Sequence, residues 1–303
     1  MTTHNIVTLK TQRLRLSLYP QDGGCALSLT YNKDGRNFDI FKPVTHDFST
    51  TLDARDSACF PLFPFSNRIT KGAFTYNGQD YKLAPNMEPE PHAIHGWAWQ
   101  NRASISQQTD TQITINHEQT DPSYPFLFSA QQQWILSEDD RIEIKLSITN
   151  TGDTPMPFGM GIHPYFVRTA GVTINTGCEK VMMNDDNMEP QSIIDVPPSL
   201  DLNTPRKVQD LQMDNCFTGW NRQCEIHWPE YQLQMNISAD EIFKNVVIFI
   251  PEGENFFCVE PVTNINDAFN NSLGYIDSGL KELHSGQTLS ASVFLDFKTT
   301  DIE

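Results

Sequence analysis

The sequence predicts an all-β protein built as a large antiparallel sandwich of two packed sheets, and three observations carry that prediction. Wherever a hydropathy pattern is present, apolar residues alternate with polar ones at a period of two. Turn sequences of the hairpin type fall between the alternating segments. No window of helical length sustains a 3.6-residue period.

Taken in chain order, Leu14, Leu16 and Leu18 alternate with Arg13, Arg15 and Ser17. Ile142, Ile144, Leu146 and Ile148 alternate with Arg141, Glu143, Lys145 and Ser147. Leu233, Met235 and Ile237 repeat the pattern, as do Val293, Leu295 and Phe297. Such segments are antiparallel strands with one face on a core and one in water. Val246 to Ile250 is apolar throughout, which predicts a strand buried on both faces. Asp34-Gly35, Asn77-Gly78 and Thr151-Gly152-Asp153 predict hairpin turns. Asp185 to Arg206, rich in Pro, Asp, Asn and Ser, predicts a long irregular excursion of the kind that carries binding function on a β scaffold. No repeat, low-complexity tract or composition shift marks a linker, so residues 1–303 are expected to form one domain.

Composition narrows the function. A formal net charge of -17 repels phosphate backbones and anionic membrane surfaces, so neither nucleic acid nor membrane is an expected partner. A solvated acidic face that maintains solubility is the plain reading of that charge. The six cysteines, at 25, 59, 178, 216, 224 and 258, form no CxxC pair and no zinc-type cluster in sequence. The first twenty residues lack the apolar core of a signal peptide, and no stretch approaches the roughly 18 apolar residues that span a bilayer. A reducing cytoplasm with free thiols is the expected setting.

Three segments differ from ordinary strand or turn sequence. The first is CFPLFPFSNRI from Cys59 to Ile69, followed by HAIHG from His92 to Gly96. The second is GMGIHPYF from Gly159 to Phe166, and the third is FCVEPVTN from Phe257 to Asn264. Each has a structural explanation on its own: Arg68 can salt-bridge a carboxylate, and His95 before Gly96 can be a satisfied turn histidine. His92 and His95 are spaced as a metal pair would be on a helix, but Pro89 and Pro91 argue against a helix there. Glu260 is more telling, because a carboxylate within an apolar strand is seldom buried without purpose. Burial would raise its pKa. His163 and Glu260, each held before a proline on separate strands, have the makings of a general acid–base pair across a cleft.

In order, these segments resemble the aldose 1-epimerase (galactose mutarotase) family, whose pattern runs P-F-x-N-R-I, H-G, G-x-x-H-P-Y-F and a late E-P. The resemblance extends from about residue 20 to 298 and is nearest to a short bacterial branch, marked here by CFPLFPFSNRI and by FTGWN at Phe217 to Asn221. It implies a β-supersandwich with a sugar in an open cleft on one sheet. By motif position it implies Glu260 as general base and His163 as general acid. Arg68 and His95, with Asn67 beside them, would hold the ring oxygen and hydroxyls. Tyr165 would line the cleft, Asp214 would bind a hydroxyl, and Trp97 or Trp99 would contact the sugar. Gly96 runs directly into Trp97-Ala-Trp99, where the galactose enzymes have a longer segment, so substrate preference does not carry over.

The implied reaction opens a hemiacetal ring and recloses it on the other carbonyl face. One group removes the anomeric hydroxyl proton while another protonates the ring oxygen, and the two then exchange roles. A neighbouring carboxylate is expected to raise the pKa of His163 and keep it protonated. Arg68, which cannot readily release a proton, orients. No redox step occurs, so neither cofactor nor metal is expected. The expected partner is a free monosaccharide, such as glucose or galactose, and the expected assembly is a monomer or homodimer. Three other readings stay open: a sugar sensor without catalysis, a glycoside hydrolase or lyase needing a second carboxylate, and an epimerase of phosphorylated sugars needing more arginines than Arg68.

Overall fold

A computed structural model describes residues 6–44 and 54–300. The alternating segments become strands at the predicted places: Leu14–Tyr19, Arg141–Asn150, Leu233–Ala239 and Thr288–Thr299. Two large antiparallel sheets result. The first has Gly161–Val167 and Phe256–Val262 at its centre, flanked by Cys59–Leu62 on one side and by Asn245–Ile250 and Met213–Thr218 on the other. The second is centred on Arg141–Asn150 and Thr288–Thr299. Leu14, Leu16 and Phe166 from the first sheet and Ile142, Ile144, Met235 and Leu295 from the second share one buried core. Among the described residues no helix is long and apolar enough to cross a membrane.

Asp34-Gly35 and Asn77-Gly78 are hairpin turns, joining strand pairs Cys25–Lys33 with Arg36–Asp39 and Ala73–Tyr76 with Gln79–Lys82. Thr151-Gly152-Asp153 is not. There the buried Asn150 side chain donates to the carbonyls of Thr154 and Leu283, both at 2.8 Å. That bond turns the chain away, and Met156–Phe158 pairs with Lys281–Leu283 instead. The predicted excursion 185–206 likewise contains a strand, Pro190–Asp195, on Lys180–Asn184. It is an edge strand with little burial on either face, so it has no alternation to read.

The middle of the first sheet is covered on both faces. In Gly161–Val167, Ile162 and Phe166 point to the core between the sheets, while Tyr165 belongs to a second buried cluster on the outer face. That cluster joins strand residues Phe60, Val247, Cys258 and Val262 to Ala54, Ile94, Trp99, Ile265 and Ala268 of the overlying loops. Asn264 fastens this cap to the sheet. Its Oδ1 accepts from the Ser66 amide at 3.1 Å and the Ser66 hydroxyl at 2.8 Å, and its Nδ2 donates to the Ser66 carbonyl at 3.0 Å. Next to it, the Met160 amide donates to the Thr263 hydroxyl at 2.9 Å.

Asn264→Ala leaves the Ser66 amide and carbonyl buried without partners, and each such orphan costs about 1–3 kcal/mol. Urea unfolding of this variant is expected to show a loss of about 2–4 kcal/mol at unchanged m-value. A midpoint equal to that of the parent protein would show that the cap is held elsewhere.

Candidate active site

His163 and Glu260 lie on neighbouring central strands whose register pairs Gly161 with Val262 and Tyr165 with Cys258, and so sets the two side chains opposite one another. Both face the outer side, and His163 Nε2 is 3.3 Å from Glu260 Oε1. Their side chains are only 7% and 3% exposed, at the floor of a cleft of about 480 Å³. That volume falls within the range of small-molecule sites.

The imidazole is fixed by stacking. Trp99 lies on Phe60 at 5.3 Å between ring centroids, Phe60 on His163 at 4.6 Å, and His163 on Tyr165 at 4.7 Å. Lys42 closes this column, its Nζ 4.3 Å above the Tyr165 ring and 4.7 Å above Phe256. His95 meets His163 edge-on at 5.1 Å. Its own φ is 62°, and Gly96 follows at 77°. A Cβ on Gly96 would stand 2.0 Å from the Phe63 carbonyl oxygen, so only glycine lets this turn press His95 into the cleft.

Electrostatics depart from the sequence expectation. Burial lowers His163 to about 3, with Lys42 and Arg68 acting in the same direction against a hydrogen bond to its own backbone. Burial also raises Glu260 well above the usual carboxylate range; Asp214 adds to this and Arg68 opposes it. The expected rise of the His163 pKa is therefore reversed, because loss of water outweighs the attraction of the carboxylate. Both shifts favour the neutral form of each group. His95 is also neutral: burial pushes it well below its ordinary value, and its Nδ1 has no hydrogen-bond partner among the described residues.

Arg68 lines the cleft and is also ion-paired. Its Nε and a terminal nitrogen donate to the two Glu90 carboxylate oxygens at 2.7 Å each. Asn67, at φ 58°, donates to the Asn264 carbonyl at 2.8 Å and borders the same cleft. Tyr165 and Asp214 border it too, and burial raises the Asp214 pKa. Trp97 is placed elsewhere. Its indole packs on Phe128 and borders a separate cavity of about 280 Å³, because the turn at His95-Gly96 sends successive side chains to opposite sides. Trp99 is buried behind Phe60 as part of the column. His92 is not paired with His95; it accepts the Lys71 amide at 3.0 Å.

Several cleft residues were not singled out in the sequence: Glu90, Phe60, Lys42, Arg55 and Glu254. Glu90 sits between Pro89 and Pro91, and Phe60 within the proline-aromatic run, so both had a local signal. Lys42 and Arg55 had none.

An imidazole and a carboxyl in contact at the floor of a cleft, each pushed by burial toward its neutral form, can give and take protons on a neutral ligand. The sequence profile of the aldose 1-epimerase family matches residues 5–295. Uncharacterised protein YphB of Escherichia coli K12 is 29% identical over 222 residues, which cover 71% of this chain and 76% of YphB. YihR from the same organism, also uncharacterised, is 29% identical over 70% of this chain and 71% of its own. A crystal structure of a candidate aldose 1-epimerase from E. coli K12 superposes with a TM-score of 0.86 at 25% identity, covering 97% of this chain and 99% of the other. A galactose mutarotase-like protein from Clostridium acetobutylicum shares the fold at TM-score 0.86 and 18% identity, over 98% and 96% of the two chains. The chain belongs to the aldose 1-epimerase family.

Proposed function

We propose that this protein is a mutarotase that interconverts the α and β anomers of a free aldose, with His163 and Glu260 moving the protons. The observation that carries this reading is the 3.3 Å contact between two buried groups of opposite proton affinity at the floor of a sugar-sized cleft. With the anomeric hydroxyl against Glu260 and the ring oxygen against His163, the shared proton passes along that contact to the imidazole. Glu260 then takes the hydroxyl proton as His163 delivers its own to the ring oxygen, and the C1–O5 bond opens. After rotation about C1–C2 the steps reverse on the other carbonyl face. Arg68, held in place by Glu90, orients the ring, while Asn67, His95 and Asp214 bind hydroxyls and Tyr165 forms a wall. Lys42 and Arg55, which line the cleft with Arg68, favour a second reading in which the aldose bears an anionic substituent, although Asp56 and Glu254 line it too. Comparing glucose with glucose 6-phosphate as substrates separates the two.

Glu260→Gln is expected to abolish acceleration of α-D-glucose and α-D-galactose mutarotation in polarimetry, while sugar binding by calorimetry survives. His163→Asn is expected to cost at least about a hundredfold in kcat. Near-parental rates in either variant would sink the mechanism.

The pH profile is a separate check. A second proton joins the pair only as pH falls toward the depressed His163 value of about 3, and the single proton leaves only above the raised Glu260 value. The acid limb of log kcat/KM should therefore lie well below the ordinary histidine range around 6.5, and the alkaline limb should mark the raised Glu260 value. An acid limb centred near 6.5 would mean that His163 titrates as an ordinary imidazole.

A further inference from the structure

We propose that the floor of the cleft is also a binding site for a thiophilic divalent cation, zinc above all, held by His163, Cys258 and Glu260. The three ligand atoms lie within 4.8 Å of one another, and all three residues are buried. The placement follows from the strand period: Cys258 and Glu260 are two residues apart on Phe256–Val262, so both face outward beside His163. Closing these separations by about 1 Å through side-chain movement brings imidazole nitrogen, thiolate sulfur and carboxylate oxygen to the roughly 2.0–2.3 Å from a shared ion that zinc requires.

The donor set selects the ion. A thiolate and an imidazole favour zinc or copper, whereas magnesium and calcium require oxygen ligands that this floor does not supply. His163 and Glu260 border the cleft, which gives the ion an entry path and leaves a fourth position open to water or sugar. Among the described residues His163 Nδ1 has no side-chain partner to brace it, so the affinity falls short of sites with a complete outer shell. Coordination takes Cys258 and Glu260 as thiolate and carboxylate, and their protons leave to solvent as the ion enters.

The consequence for the proposed reaction is inhibition, since a nitrogen and a carboxylate bound to metal can neither accept nor deliver a proton. Only this consequence rests on the mutarotase reading; binding itself does not. The test is calorimetric titration of the tag-free protein with zinc chloride, repeated on Cys258→Ala and Glu260→Gln and with magnesium chloride as a control. One equivalent of zinc is expected to bind, with affinity falling by more than about tenfold in each variant. Magnesium should give no heat. Thermal melts of both variants establish that each is folded before its titration is scored. Zinc affinity unchanged in both folded variants would overturn the site. If zinc binds as expected but neither it nor the protein changes the rate of any aldose, the metal site stands and the mutarotase reading falls. If turnover is present and zinc leaves it untouched at saturation, the ion is not at His163 and the proposal fails.

Discussion

The structure depends on withdrawing one acid–base pair from water. A histidine and a glutamate in solution both carry charge over part of the neutral range; at the centre of a sheet covered on both faces, neither charge is easily supported. Burial drives His163 and Glu260, 3.3 Å apart, toward their neutral forms from opposite directions. That condition needs a sheet whose outer face is largely covered, open only at the cleft. The cap built from the loops after Phe63 and after Thr263 provides it, and Asn264 and the Phe60–His163–Tyr165 stack hold cap and pair in register.

The same withdrawal explains the charges around the pair. The protein is strongly acidic overall, yet the cleft places Arg68 and Lys42 near the pair and engages Arg68 bidentately with Glu90. A guanidinium fixed by a carboxylate gives a directed set of donors without leaving an unpaired cation in a buried wall. Lys42 lies over two aromatic rings, a setting that tolerates a partly desolvated ammonium.

The fold class and most strands were legible because one-sided burial writes a period of two into the sequence, as in Ile142 to Ile148. Val246 to Ile250 was legible because burial on both faces erases polar positions. The edge strand Pro190–Asp195 was hidden because it buries neither face well. Asn150 was hidden because a side chain reaching across to Leu283 has no local signature. At the site, His163, Glu260, Arg68, Asn67, His95, Tyr165 and Asp214 converge on one cleft, while Trp97 does not. The Trp97 expectation failed because the left-handed pair His95-Gly96 reverses the side on which the next residues project. The direction of the His163 shift was not legible, since desolvation is a property of the assembled cap and not of any segment.

This division of labour bears on how the family can change substrate. The pair belongs to two central strands whose register is set by ladders on both sides, so it cannot move without unmaking the sheet. Part of the wall belongs to connecting segments: Met87 and Glu90 from one, Arg55 and Asp56 from another, Glu254 from the turn before Phe256–Val262. Loop residues can be exchanged at little cost to the core. In the proposed reaction, proton transfer stays with the strands, while much of the wall that would meet the sugar is carried by loops.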